Sequence, residues 1–208
     1  PKPLVPILGK WSLMRTLEIL PPAVTRVVLV VGYLAEQIRG TVGNEFRGRP
    51  VVYASQTPLD GTGGCLRQVK RQLPGLSHRF LVMNGDDLYA AQDLEALVAA
   101  DASVLVLETR LNKAEDSWLR DHNGSLRGLT RTPAGTTGLI NVGAYCLDHS
   151  WFDTEPVLVP DKPFEWSLPH AIPELIARGA NVAAVPATLW MPVGTPQELQ
   201  AAEDALRL

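Results

Sequence analysis

Asp86 and Asp87 directly follow an apolar run, in Arg79 to Tyr89, Arg-Phe-Leu-Val-Met-Asn-Gly-Asp-Asp-Leu-Tyr. Adjacent carboxylates at the end of a buried strand can hold a divalent cation, because open α/β sheets gather ligands outside the carboxyl ends of their strands. The same pair can equally cap a helix, which the spacing predicts over 88–100, since Asp is a good N-cap. The segment alone leaves both roles open.

A second stretch with chemistry in it is Gln56-Thr57-Pro58-Leu59-Asp60-Gly61-Thr62-Gly63-Gly64. Small residues between a strand and a helix expose backbone N–H groups that can cradle a phosphate or a base. A plain flexible loop is the commoner fate of such a turn. Gln56 brings both a donor and an acceptor, which match the imide edge of uracil or thymine or the corresponding edge of guanine. Lys2 stands between Pro1 and Pro3, whose restricted φ would aim its ammonium, although a solvated surface lysine reads the same way. Glu165 follows Pro163 and precedes an apolar helix, where a carboxylate is favoured near the N-terminus. Trp190 to Pro196 reads as a further strand-to-helix turn, with Trp190 in the core.

The elements that must position these residues follow from periodicity. Trp11, Leu13, Met14, Leu17 and Leu20 mark one face of a helix over 9–20, stopped by Pro21-Pro22. Strands are predicted at 26–32, 50–54, 79–85, 103–108, 139–147 and 181–186, and helices at 34–42, 64–73, 88–100, 168–178 and 196–206. This alternation is that of parallel βαβ units. Asn123-Gly124 predicts the turn of a small surface hairpin within 112–138, and residues 160–163 a loop. Gly179 suits the end of its helix as the C′ residue.

Composition narrows the function. At 208 residues with 46% apolar side chains, the chain is expected to form one domain around one substantial core. A net charge of -3 excludes a global basic field, so nucleic acid is not expected as a partner and small anionic ligands must meet local positive groups. No apolar run approaches the roughly 20 residues of a membrane helix, and no signal segment opens the chain. Cys65 and Cys146 are too few and too far apart for a disulfide framework or a zinc site, so both read as core thiols of a reducing compartment, and a soluble, cytoplasmic protein is expected. Gly-x-Ser-x-Gly and Gly-x-x-x-x-Gly-Lys-Ser/Thr motifs are absent, and His78, His122, His149 and His170 show no metal spacing. The opening Pro-Lys-Pro-Leu-Val-Pro-Ile reads as the middle of a chain, and residues upstream of Pro1 are expected.

Taken in order, Pro-Lys-Pro-Leu at 1–4, Gln56 with Gly61-Thr62, Asn84-Gly85-Asp86, Asn141-Val142-Gly143, Glu165, and Trp190 with Gly194-Thr195-Pro196 resemble the sugar-1-phosphate nucleotidylyltransferase family over nearly the whole chain. The resemblance implies a Rossmann-like three-layer αβα fold with a mostly parallel central sheet and a small hairpin excursion. It also implies a reaction in which a nucleoside triphosphate (UTP, dTTP or GTP) and a sugar 1-phosphate give an NDP-sugar and pyrophosphate, with Mg²⁺. Position by position, it makes Lys2 the lysine that faces substrate phosphates and Asp86 the catalytic metal ligand. Gln56, Gly61, Thr62 and Gly85 become the nucleotide-binding residues, and Asn141, Gly143 and Glu165 hold the sugar.

The departures from the family pattern carry expectations too. The family's first strand and its Gly-x-Gly-Thr-Arg-type loop, which wraps the triphosphate, are expected upstream of Pro1. Pro192 stands where the family's Trp-x-Asp-x-Gly-Thr turn supplies a second metal carboxylate, so Asp87, water or a substrate oxygen is expected to compensate. Trp11 replaces a Pro, and His170 replaces an acid near the sugar site. The last two are expected to bear on sugar preference, while Pro192 and the missing loop support an alternative reading, a weakened homologue that binds nucleotide or NDP-sugar as a regulatory subunit. A cytidylyltransferase acting on a phosphorylated alcohol is a third.

Overall fold

Strands whose side chains alternate between two apolar clusters build the centre of the molecule. The computed structural model describes residues 2–73, 75, 78–160 and 162–207. In chain order the strands are β1 (Pro6–Ile7), β2 (Lys10–Trp11), β3 (Val27–Val31), β4 (Glu45–Phe46), β5 (Arg49–Ser55), β6 (Arg79–Met83), β7 (Asp87–Tyr89), β8 (Ala102–Arg110), β9 (Glu115–Arg120), β10 (Leu126–Thr132), β11 (Thr137–Asp148), β12 (Val157–Val159), β13 (Lys162–Ser167), β14 (Val182–Pro186) and β15 (Trp190–Pro192). The helices are α1 (Ser12–Glu18), α2 (Ala35–Val42), α3 (Gly61–Gln72), α4 (Ala91–Ala99), α5 (Ile172–Ala177) and α6 (Pro196–Ala205). None of the described helices is long and apolar enough to cross a membrane.

Four strands pair in the order β14-β8-β11-β6, and three in the order β3-β5-β4. β14 is parallel to β8 and β3 is parallel to β5, whereas β11 runs against both β8 and β6. β11 returns straight from the β9–β10 hairpin onto β8, and a return without a crossover helix pairs antiparallel. On β8, Val104 and Val106 face a cluster with Leu66 of α3 and Ile172 and Leu175 of α5, while Leu105 faces Leu94 and Leu97 of α4. β11 repeats this, with Tyr145 and Leu147 on one face and Val142, Ala144 and Cys146 on the other. Helices therefore cover both faces, which is the Rossmann-like αβα layering. Leu13 and Leu17 of α1 complete a further cluster with Val27 and Val31 of β3 and Ile38 and Val42 of α2.

Several expectations change in the structure. Neither aspartate caps a helix: Asp87 begins β7, which pairs antiparallel with β15 and sets Asp87 opposite Pro192. The helix starts only at Ala91, after an extended Ala90 that offers no side-chain cap. Glu165 lies in β13 rather than at a helix start, because 157–167 folds back as the β12–β13 hairpin. Asp161, in the predicted 160–163 loop, lies outside the described residues, as does Pro1. The Asn123-Gly124 turn forms as expected, with Gly124 at φ +85 and the Asp121 carboxylate accepting from the N–H groups of Asn123 and Ser125.

Among the described residues β3 pairs only with β5, and β6 only with β11. Between their other edges runs a largely apolar groove of about 530 Å³, lined by Val27–Val31 and by residues 79–86. Consecutive rather than alternate residues line it, so the groove faces strand edges and not a sheet face. Both strands end on the same side. Gly32, after β3, lies against Leu59, and Asn84, after β6, shares a pocket with Leu59, so β3 and β6 run parallel across the groove.

Candidate active site

The pocket at the ends of β5 and β6 has a volume of about 600 Å³ and is lined by Gln56, Asn84, Asn141, Gly143, Glu165 and Trp190, among others. Its inner wall is a break in β11. The register against β8 shifts between Asn141, which still pairs with Val106, and Tyr145, and this pushes Val142-Gly143-Ala144 out of the β8 ladder. Gly143 is required there. Its φ is +78, and a Cβ would lie 2.1 Å from Asn84 Nδ2, so only glycine lets the two segments meet. The Asn84 N–H then donates to the Gly143 carbonyl at 2.9 Å. Asn141 Oδ1 accepts from the Gly143 N–H at 2.8 Å and from the buried Tyr145 hydroxyl, which leaves Asn141 Nδ2 as a donor for a ligand.

A second wall is the start of α3. Gly61 and Gly63 pack against β13, where a Cβ on Gly61 would approach the Trp166 carbonyl oxygen to 2.5 Å and one on Gly63 the Ser167 carbonyl oxygen to 2.9 Å. These glycines open the first turn of a helix, so the flexible-loop reading does not hold. Gln56 also differs from expectation, since its amide nitrogen donates to Asp60 Oδ1 and the Gly61 carbonyl, both at 2.9 Å. What Gln56 offers a base is its Oε1, an acceptor. Thr62 Oγ1 accepts from the Leu168 N–H at 3.2 Å, tying α3 to the far wall.

The two aspartates have opposite surroundings. Asp87 is buried, and its Oδ2 accepts from Asn84 Nδ2 at 3.1 Å and Trp190 Nε1 at 3.1 Å. Tyr89 Oη lies 3.3 Å from Asp87 Oδ2 and 3.0 Å from the Val142 carbonyl. Burial pushes the Asp87 carboxyl above the ordinary carboxylate range, and the donated hydrogen bonds from Asn84 and Trp190 pull it back only in part. Burial pushes the Tyr89 hydroxyl up strongly, and the Asp87 charge adds to it. Asp86 is half-buried, makes no side-chain hydrogen bond among the described residues, and lines the groove.

Of the residues singled out from sequence, Gln56, Gly61, Thr62, Asn141, Gly143 and Glu165 line the pocket together. Gly85 and Asp86 line the adjoining groove, which shares Thr62, Cys65 and Asn84 with the pocket. Lys2 lines neither. It is exposed, and its Nζ lies 3.5 Å from where a Cβ on Gly194 would stand, at the turn that carries Pro192. Glu165 is paired with Lys162 at 2.9 Å, both partly exposed. Sequence reasoning gave no role to Asn84, Tyr145 or Lys162, whereas His170, singled out there as a departure from the family pattern, does line the pocket. The position of Asn84 just past the end of β6 was an available signal for it.

The donor set fits a single-carboxylate cation site. Among the described residues no group of three or more His, Cys, Asp or Glu could hold a metal, and Asp87 is buried with its Oδ2 taken by Asn84 and Trp190. Asp86 keeps both oxygens open, and Mg²⁺ typically takes one or two carboxylates and fills its octahedron with phosphate oxygens and water. Burial, then the nearby Asp60, push the thiol of Cys65, at the junction, up to about 11, which disfavours the thiolate.

Comparison with known proteins agrees with this geometry. The bifunctional protein GlmU of Methanococcus aeolicus is 28% identical over 204 residues, covering 96% of this chain and 47% of its own. The chain thus spans about half the length of the GlmU relatives it matches. The UTP–glucose-1-phosphate uridylyltransferase AglF of Haloferax volcanii is 25% identical over 217 residues, covering 100% of this chain and 88% of its own. The structure of HddC from Yersinia pseudotuberculosis complexed with GMP-PN shares the fold, with a TM-score of 0.69 at 23% identity over 99% of this chain and 90% of that one. The nucleotidyl transferase family profile matches residues 1–207, and the chain belongs to that family.

Proposed function

We propose that this chain joins a nucleoside triphosphate to a sugar 1-phosphate, giving an NDP-sugar and pyrophosphate. One observation carries the reading: Gln56 and the start of α3 on one wall, and Asn141, Gly143 and Glu165 on another, share one pocket whose edge continues to Asp86. The sugar phosphate oxygen attacks the α-phosphorus, a P–O bond forms, and the bond to pyrophosphate breaks. Such a transfer needs positioning and neutralised charge rather than a covalent nucleophile. The raised thiol of Cys65 is in keeping with that.

In this reading Gln56 Oε1 accepts from the N3–H of uracil or thymine, or the N1–H of guanine. Backbone amides at Gly61, Thr62 and Gly85 face the nucleotide, and Lys2 faces phosphate from the Gly194 corner. Asn141 Nδ2 and Glu165 hold sugar hydroxyls. Asp86 would hold Mg²⁺, which when bound supplies positive charge to the phosphate oxygens. The test is pyrophosphate release by the natural polypeptide with a panel of triphosphates and sugar 1-phosphates. Release with UTP or dTTP supports the reading, and no release with any pair overturns it.

The groove supports the expectation of a further strand. An extended segment lying parallel between β3 and β6 would satisfy both edges, and its continuation would emerge beside Asp86, where the family's triphosphate loop is expected. Hydrogen exchange tests this. The β3 and β6 amides should be protected in the natural polypeptide and exchange faster in the 208-residue chain alone. Equal exchange in both would rule the strand out. Pro192 opposite the sealed Asp87 favours one other reading, a nucleotide-sugar binder without turnover. Calorimetric binding with no pyrophosphate release would support it.

A further inference from the structure

His170 lines the pocket, yet both of its ring nitrogens are engaged inside the protein. Nε2 lies 3.0 Å from Asp116 Oδ2, on β9. Nδ1 lies 2.7 Å from Ser167 Oγ, at the end of β13. A carboxylate only accepts, so Nε2 carries the hydrogen, and in the neutral ring Nδ1 accepts from the Ser167 hydroxyl. Ser167 Oγ in turn accepts from the His170 N–H at 3.2 Å, so the hydrogen bonds run in one consistent direction. Asp116 is also paired with Arg131 of β10 at 3.3 Å.

The elements that His170 joins are pocket walls. Ser167 is buried and follows Glu165 by two residues, and its carbonyl packs on Gly63 of α3. Asp116 precedes Ser117, whose hydroxyl would lie 2.4 Å from a Cβ on Gly138, so β9 packs closely on β11 just before Asn141. An imidazole that spans these walls fixes the spacing between Glu165 and Asn141, the two groups assigned to the sugar. Its nitrogens are committed, so it gives no hydrogen bond to a sugar hydroxyl.

We propose that His170 is a positioning residue, a clip between Asp116 and Ser167 that sets the acceptor side of the pocket and leaves the nucleotide side alone. The proposal rests on the nucleotidyltransferase reading above. The experiment is a double-mutant cycle of His170→Asn and Asp116→Ala, with KM measured separately for the sugar 1-phosphate and the triphosphate. Asn reaches Ser167 but not Asp116. Each single change should raise the sugar-phosphate KM about tenfold, the worth of one hydrogen bond to a charged group, with kcat and triphosphate KM within about twofold. The double variant should be no worse than either single one. His170→Gln, whose amide nitrogen can reach Asp116, should recover to within about threefold of the parent.

Multiplying single effects, or equal rises in both KM values, would overturn the clip and leave a merely structural histidine. If no substrate pair turns over, the functional reading falls and the clip is judged by nitrogen NMR of the ring. An Nε2–H tautomer whose signal moves in Asp116→Ala upholds it. An Nδ1–H tautomer, or a signal indifferent to Asp116, overturns it.

Discussion

The pocket and the groove adjoin along Asn84, Thr62 and Cys65 but are finished in different ways. Polar side chains from several elements stand in the pocket wall beside Leu59, Val142, Val159 and Trp190, and many of their atoms are already bonded, as in Gln56, Asn141 and His170. Aliphatic side chains and two bare strand edges make the groove. The pocket thus presents hydrogen-bonding side chains, whereas the groove presents strand edges that have no partner among the described residues. Asp86 and Asp87 mark the border. One residue apart, the first keeps open oxygens toward the groove, and the second is buried, with its Oδ2 accepting from Asn84 and from Trp190 of β15.

Exchanging the two aspartates' roles is the strongest way to break this contrast. Asp86→Asn should lower kcat by about 10²- to 10³-fold, the scale of a lost charge-stabilising group. Its thermal midpoint should stay within about 2 °C of the parent, because no protein bond is lost. Asp87→Ala should do the reverse in kind, costing about 3 kcal/mol in urea denaturation by stranding the Asn84 and Trp190 donors.

Asp87 also has a pH signature. Its carboxyl is raised chiefly by burial, so its contribution is complete below the unfolded-state pKa and is lost as pH rises through the higher folded value. Stability curves of Asp87→Asn should lack that decline. A curve parallel to the parent's would show that Asp87 is ionised at no cost.

Gly143→Ala probes the pocket wall, where the positive φ and the Asn84 overlap together should cost about 2 kcal/mol and raise the sugar-phosphate KM. The smallest expected effect is that of Gln56→Ala. Loss of one acceptor should narrow the preference between triphosphates by about tenfold with little change in the unfolding midpoint. An unchanged preference would remove Gln56 from base recognition.

Elements with a strong period were legible in the sequence, since Val27–Val31 and residues 139–147 read as strands, whereas the helix read over 9–20 runs only over Ser12–Glu18, because Lys10–Trp11 pairs with β1 and leaves Trp11 exposed. Pocket residues were legible where they follow a strand, as with Gln56, or where a polar residue and a glycine interrupt one, as with Asn141 and Gly143. The role of Asp87 was not, because its Trp190 donor is 103 residues away and the pairing of β7 with β15 has no local signal. His170 and Asp116 are 54 residues apart and meet for the same reason. The glycines at 61, 63 and 64 read as an amide cradle, but their tightness comes from the approach of β13 and the Asp60 side chain, which the sequence does not display.

The most direct measurement is the product stoichiometry of the natural polypeptide given UTP and a hexose 1-phosphate with Mg²⁺, followed by mass spectrometry. The account predicts UDP-sugar and pyrophosphate in equal amounts, with both abolished together in Asp86→Asn. UMP or orthophosphate in place of the UDP-sugar, or equal yields from the parent and Asp86→Asn, would contradict it.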